Sequence, residues 1–180
     1  GGAGPMLACH LAKDLGLAEI IIPPTPGVLS AFGGLVADIR NDFIRTVMVD
    51  VNNKGLKSIL VSVKTLEEEA TSWLRDEQGF KGKSELLWSC DMRYRGQSFE
   101  IETIVKQSWL YDSSNEKIKA AFHKAHHQVY DHSDESAEVQ IVNLRLVIVG
   151  TVPKPSLPMT KERKSLATPG KNVKVHVDGN

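Results

Sequence analysis

The chain has 180 residues, 41% of them hydrophobic and 24% charged, with 22 basic and 22 acidic side chains and no net charge. That balance gives no electrostatic reason for nucleic acid or an anionic membrane as partner, and no apolar run approaches the ~20 residues of a membrane helix. Nothing at the start has the pattern of a signal peptide. Cys9 and Cys90 form no Cys-x-x-Cys pair and no zinc-like spacing. Two isolated cysteines suit a reducing, cytoplasmic compartment, and both are expected to be small buried hydrophobes.

Residues 5–15 are predicted as a helix: Pro5 fits its first turn, Leu7, Leu11 and Leu15 recur every fourth residue, and Gly16 supplies a C-cap. Ala18-Glu19-Ile20-Ile21-Ile22 has the pattern of a strand buried on both faces, stopped by Pro23-Pro24. A second helix follows Thr25 as cap and Pro26, with Val28, Leu29, Phe32, Leu35 and Val36 on one side. Gly33-Gly34 inside it costs about 1 kcal/mol per glycine, which implies a closely packed neighbour.

Beyond Asp38 the period changes. Residues 42–51 alternate as a strand, with Phe43, Arg45, Val47, Val49 and Val51 on one face. Residues 55–78 keep helical spacing, and Thr65 with Glu68 places a capping box where two helices would meet near Lys64. Residues 84–95 alternate strongly, with Trp88, Cys90, Met92 and Tyr94 on one face. Residues 99–105 repeat the pattern after an Arg95-Gly96-Gln97 hairpin turn. Residues 114–130 form the cleanest helix, with Ile118, Phe122, Ala125 and Val129 in one stripe and Ser113 with Glu116 as a capping box. A long strand covers 138–149, and the polar stretch from Val152 to Lys171, with Pro153, Pro155, Pro158 and Pro169, reads as a linker or strap.

From residue 42 the order is strand, helix, strand, strand, helix, strand. The expected fold is α+β, ferredoxin-like (βαββαβ): a four-stranded antiparallel sheet with helices on one face and the first and third strands central. Both ends read as cut. A Gly-rich loop normally sits between a strand and a helix, and here no strand precedes it. At the far end Asn172–Val177 reads as a strand shortly before the chain stops at Asn180.

Chemistry is sought first at Gly1-Gly2-Ala3-Gly4. Consecutive glycines let backbone N–H groups approach a phosphate, and the following helix N-terminus favours an anion. A tight strand-to-helix turn would need the same glycines. Arg93 and Arg95 share the strand face opposite Tyr94. Two guanidiniums there suit a carboxylate or phosphate, or acidic residues that hold an interface with a neighbouring domain, and Gln97 sits beside them. His123 and His127 have i, i+4 spacing, but His132 lies beyond the helix and no ligand set is completed. No metal site is expected. His123, His126 and Tyr130 lie beside the apolar stripe, where packing and hydrogen bonding suffice. Asp112, Asp131, Asp134 and Glu135 are read as capping or loop residues, and Ser30 as a packing residue.

Four ordered motifs carry a resemblance. The first runs from Gly1-Gly2-Ala3-Gly4-Pro5 through Ala8-Cys9, Ile22-Pro23-Pro24 and Pro26-Gly27-Val28-Leu29-Ser30-Ala31 to Ala37-Asp38. The second is Asp91-Met92-Arg93-Tyr94-Arg95-Gly96-Gln97-Ser98. The third is Phe122-His123 with Tyr130 and His132, and the fourth is Val142-Asn143-Leu144-Arg145. Together they resemble the hydantoinase A / 5-oxoprolinase family, at the carboxy-terminal part of its large subunit. One departure is Leu7, where many members carry a histidine; no catalytic role passes to His10.

The resemblance implies that residues 1–38 end an actin-like ATPase core, that 39–152 form a carboxy-terminal α+β domain, and that 153–180 are a polar linker with the start of a further strand. It implies ATP with Mg²⁺ in the full-length enzyme, with Gly1, Gly2, Ala3 and Gly4 against the nucleotide and nothing bound to the isolated chain. It implies two partners: the missing amino-terminal ATPase core and a hydantoinase B-type subunit. The implied reaction is ATP-dependent opening of a cyclic amide, such as a hydantoin or 5-oxoproline. The alternative is a docking module in the related branch that carboxylates ketones. The isolated chain is expected to be inactive, because most of an ATP site would lie elsewhere.

Overall fold

The computed structural model describes residues 4–23 and 26–154. Two short helical segments lead into the main body. Helix α1 spans Gly4–Leu15, and Gly16, at φ +67°, turns the chain so that the Leu17 N–H donates to the Ala12 carbonyl at 2.8 Å. That closure is what a left-handed residue past a helix end provides. A single 3-10 turn, Pro26–Val28, leads into α2, Leu29–Val36.

The expected strand at 18–22 does not form; those residues are irregular, and Ile20, Ile21 and Ile22 are exposed. A strand buried on both faces needs partner strands, and none runs beside it among the described residues. Nor does any described residue approach Gly33 or Gly34: a Cβ at either meets none of their atoms within 4 Å. Thr25, the expected cap, lies outside the described residues.

The main body is one antiparallel sheet of four strands: β1 (Ile39–Asp50), β2 (Ser84–Tyr94), β3 (Ile101–Val105) and β4 (Val139–Gly150). Its order is β1-β4-β2-β3. This corrects the ferredoxin-like expectation, in which the first and third strands are central. Here the second and fourth strands hold the centre. β4 pairs along its length with β1 on one side, from Ile39 opposite Gly150 to Asp50 opposite Gln140, and with β2 on the other. The physical reason lies in the strands themselves. β3 is five residues long and exposes Glu102 and Ile104, so it is suited to an edge. β1 has no fully buried residue and carries a bulge between Thr46 and Val49, where Met48 takes φ +48°. Both crossovers are still split βαβ units, each skipping one strand.

One face of the sheet is covered by helices. α3 (Asn53–Ser58) is capped by the Asn52 side chain, which accepts from the Gly55 N–H at 2.9 Å. α4 (Leu60–Ser72) follows and ends in a π-helical turn, Trp73–Glu77. The junction between the helices falls at Ile59, not near Lys64. Thr65 lies inside α4, its hydroxyl donating to the Val61 carbonyl at 2.9 Å, so it caps nothing. A five-residue helix, α5 (Gln107–Tyr111), precedes α6 (Asn115–Tyr130) and was not foreseen from periodicity. Ser114, not Ser113, stands at the start of α6, and its side chain makes no cap bond. Ser113 has φ +50°, so the capping box does not form.

The core lies between these helices and the sheet. Leu56, Val63, Leu66, Ile118 and Phe122 pack from the helices against Cys90, Met92, Leu144 and Leu146 from the central strands. Cys90 is buried among them, and burial next to Asp91 pushes its thiol up to about 12, which makes it inert. Cys9 departs from the expectation: it is exposed on α1. At the base of the sheet Asp38 ties the two ends of the domain together. Its carboxylate accepts from the Val152 N–H at 3.1 Å and from Lys154 Nζ at 2.6 Å. The Lys154 hydrogen bond, above all, holds Asp38 below its ordinary carboxylate pKa.

Candidate functional site

Three of the four sequence motifs converge on β2. They are far apart in the chain, yet each supplies partners to the segment Asp91–Gln97.

On the sheet face away from the helices, Asp91 is only 7% exposed. A carboxylate so buried needs strong partners. It has two, both from β4: Arg145 Nε donates to Oδ1 at 2.7 Å and Asn143 Nδ2 to Oδ2 at 2.8 Å. Thr46 on β1 donates in turn to Asn143 Oδ1 at 2.7 Å, so this polar row crosses three adjacent strands. The Asp91 hydrogen bond also raises the Arg145 pKa, fixing its charge. The second and fourth motifs are therefore two halves of one contact.

The arginines of the motif sit on the same face. Arg95 pairs with Asp50 on β1 and, through Nη1, with Glu138 at 2.9 Å. Its hydrogen bond holds Asp50 below the ordinary carboxylate range. Arg93 is less well served. Nη1 reaches Glu100 at 3.4 Å, Nη2 donates to Met48 Sδ at 3.9 Å, and the buried Nε has no partner among the described residues. The acidic partners of both arginines thus come from within this domain. Of the two guanidiniums, Arg93 has the weaker partners.

On the helix side the same segment meets the third motif. The Tyr94 hydroxyl lies 2.8 Å from His123 Nδ1 and accepts the Asp134 N–H at 2.8 Å. Gln97 accepts from the Tyr94 N–H through Oε1 at 3.2 Å and presents Nε2 to His126 Nε2 at 3.2 Å. His126 is 4% exposed, with Nδ1 2.6 Å from the His132 carbonyl. These contacts fix its tautomer. The Gln97 amide must donate to Nε2, so the proton is on Nδ1 and goes to the carbonyl. Tyr94, Phe122 and Tyr130 surround the ring, with centroids 4.7, 5.7 and 4.9 Å away. Both ring nitrogens of His126 thus have partners. His127 faces outward beside Asp131, and among the described residues no three His, Cys, Asp or Glu side chains are grouped to hold a metal ion.

The hydroxyl of Tyr94 and the two histidine contacts could not be read from spacing. The partners are 29 to 40 residues apart, and the signal available was only that each belonged to a motif. Beside them, a cavity of about 450 Å³ is lined by Lys119, Lys124, Glu116 and Glu135 together with His123 and His127. Its mixed charge selects neither anions nor cations.

The Gly-rich motif is mostly beyond view: Gly1, Gly2 and Ala3 lie outside the described residues. Gly4 begins α1, whose first turn has no acidic residue, and a Cβ at Gly4 meets nothing within 4 Å.

Fold and motif contacts define an α+β domain with its polar motifs drawn together around one central strand, preceded by a helical segment with a Gly-rich start. The chain belongs to the hydantoinase/oxoprolinase family: residues 1–43 match the Hydantoinase/oxoprolinase model and residues 50–176 match the model of the Hydantoinase/oxoprolinase C-terminal domain. It is 30% identical over 173 residues to the caprolactamase subunit alpha of Pseudomonas jessenii, covering 94% of this chain and 24% of that one. The crystal structure of the ATP-dependent caprolactamase from that organism superposes with a TM-score of 0.68 at 27% identity, over 93% of this chain and 25% of the other. Identity to 5-oxoprolinase 1 of Arabidopsis thaliana is 29% over 151 residues, 83% of this chain and 12% of that one. A nucleotide-free acetone carboxylase structure shares the fold, with a TM-score of 0.70 at 22% identity over 91% of this chain and 24% of the other. The chain therefore spans about a quarter or less of the relatives it matches. No described helix is long and apolar enough to cross a membrane.

Proposed function

We propose that this chain is part of an ATP-dependent hydrolase of cyclic amides, and that it contributes architecture and one edge of a nucleotide site without being active alone. The observation that carries this reading is that both segments of the chain match the family, in register with an enzyme named caprolactamase, whose substrate class is a cyclic amide. In this reading residues 1–38 close an actin-like ATPase core, residues 39–152 are the carboxy-terminal domain, and 153–180 lead onward. ATP, with Mg²⁺, would supply activation of the amide oxygen. The backbone N–H groups of Gly1, Gly2, Ala3 and Gly4 would hold phosphate oxygens at the start of α1. Arg93, the less strongly paired of the two arginines, would meet an anionic group or an acidic residue of a docked partner, while Arg95 and Gln97 hold the hairpin in place. The partners are the amino-terminal core and a hydantoinase B-type subunit.

The test is ADP release by the full-length parent with its partner subunit. Hydantoins, lactams and 5-oxoproline are offered in one panel, ketones with bicarbonate in another. Release that depends on a cyclic amide is the expected result. Release that depends on ketone plus bicarbonate would replace the hydrolase reading with carboxylation, and this domain would then be a docking module of a carboxylase. Turnover of ATP by the isolated chain, abolished by Gly2→Val, would overturn its assignment as inactive alone.

A further inference from the structure

The loop that follows α6 is fastened to the sheet through histidine chemistry. Asp131 leaves the helix at φ +56°, and the chain folds back so that the His132 carbonyl meets His126 and the Asp134 N–H meets Tyr94. Inside the loop, Asp134 Oδ1 accepts from the Ser136 N–H at 2.9 Å and from the Ser136 hydroxyl at 2.6 Å, making a compact turn. The turn's own bonds do not reach the sheet. Its attachment to the strand is the Tyr94 hydroxyl and, past the turn, the Arg95 N–H donating to the Glu138 carbonyl at 2.8 Å.

Tyr94 is buried and its hydroxyl has one proton. The oxygen takes the Asp134 N–H, so the proton must go to His123 Nδ1, the one acceptor within reach among the described residues. This works only while that nitrogen carries no proton. A charged His123 would aim its own Nδ1–H at the Tyr94 oxygen, leave the hydroxyl proton without an acceptor, and set a second, positively charged donor beside the Asp134 N–H. The geometry points to a proton-released latch: we propose that protonation of His123 frees the 131–137 turn from Tyr94 and so loosens the Tyr94–Gln97 hairpin beneath it.

The groups around His123 come from three elements. Lys119 on its own helix opposes a positive ring, and a charge on His126 would do the same; Asp134 and Glu135 on the loop favour one, and Tyr94 on β2 is uncharged. Burial outweighs the rest and pulls the His123 pKa below its ordinary 6.5. The sign follows. An imidazole that resists protonation in the folded state binds fewer protons than the unfolded chain, so the closed latch is favoured above 6.5 and is lost as pH falls through the depressed folded value. Asp134 does not titrate in this window, because its bonds to Ser136 hold it below the ordinary carboxylate range.

The experiment is amide hydrogen exchange by NMR on the 180-residue chain, with each rate corrected for the intrinsic pH dependence of exchange. The Asp134 protection factor is expected to fall about tenfold from about pH 7.5 to about pH 5, the scale of one lost hydrogen bond. His123→Asn places a carboxamide oxygen near the Nδ1 position that cannot take up a proton, and is expected to keep Asp134 protected at the lower pH. Tyr94→Phe is expected to leave Asp134 unprotected at both. Equal protection of the unaltered chain at the two pH values would overturn the proposal. So would an undiminished acid loss in His123→Asn, or protection that survives in Tyr94→Phe. The first two readings do not require the tyrosine variant to fold.

Discussion

Helices α1 and α6 carry similar patterns and meet different fates. Each repeats apolar residues every third or fourth position: Leu7, Leu11 and Leu15 in one, Ile118 and Phe122 with His126 in the other. In α6 those side chains are sealed against the sheet, with Phe122 wholly buried. In α1 they face outward, Leu15 at 70% exposure, and Ala12 is the one buried residue of that helix. Periodicity thus reports which side of a helix is apolar. What covers that side is set by chain elsewhere in the sequence or in a partner, and only the packed half has its cover among the described residues.

The largest effect should come from emptying the packed half. Phe122→Ala removes an aromatic ring at 0% exposure that lies edge-on to Tyr94 at a centroid distance of 4.9 Å. The expected loss is about 3–5 kcal/mol in a urea unfolding midpoint converted with a fixed slope. A loss under about 1 kcal/mol would mean that the site collapses around the deletion and that the core is less tightly specified than its burial suggests. Next in size is Gly55→Ala. A Cβ at Gly55 runs into the Asp50 carbonyl oxygen, a backbone atom that cannot step aside without moving β1. The helix propensity of alanine favours the change by about 1 kcal/mol, and the clash should exceed it, for a net loss of about 1–3 kcal/mol in the same assay.

The strands and long helices were legible because each is recorded locally. Trp88, Cys90, Met92 and Tyr94 alternate in sequence as they do in space, and α6 runs from Asn115 to Tyr130, although its buried side is Ile118, Phe122 and His126, while Val129, expected in the stripe, is exposed. Strand order was not legible in the same way, since alternation says that a face is covered without saying by which neighbour. Some signal for it existed: the brevity of β3 and its exposed Glu102 and Ile104 mark an edge. The short run Ile20-Ile21-Ile22 misled because an apolar run needs partners to become a strand, and it has none within the described chain.

The candidate site was half legible. The motif residues stood out one group at a time, but not that Asp91 takes Asn143 and Arg145 as partners, or that Tyr94 and Gln97 take His123 and His126. Such contacts are set by sheet register and by which helix crosses which strand. The capping boxes failed for a simpler reason. The spacing of Thr65 and Glu68 is also available inside a continuous helix, where the Thr65 hydroxyl finds the Val61 carbonyl instead.

The smallest effect sharpens the comparison most. Leu15→Ser changes a leucine that projects from α1 with most of its surface in water, so little transfer free energy is at stake in this chain. The expected change in unfolding midpoint corresponds to less than about 0.5 kcal/mol. The same substitution in the full-length parent provides the other arm. If the rest of the polypeptide or a partner subunit packs on α1, burying the leucine there makes its replacement by a hydroxyl cost about 2–4 kcal/mol. Equal and small losses in both proteins would leave α1 uncovered in the longer protein as well. Its apolar stripe would then be a surface without a core, and the contrast with α6 would be a property of the helix itself.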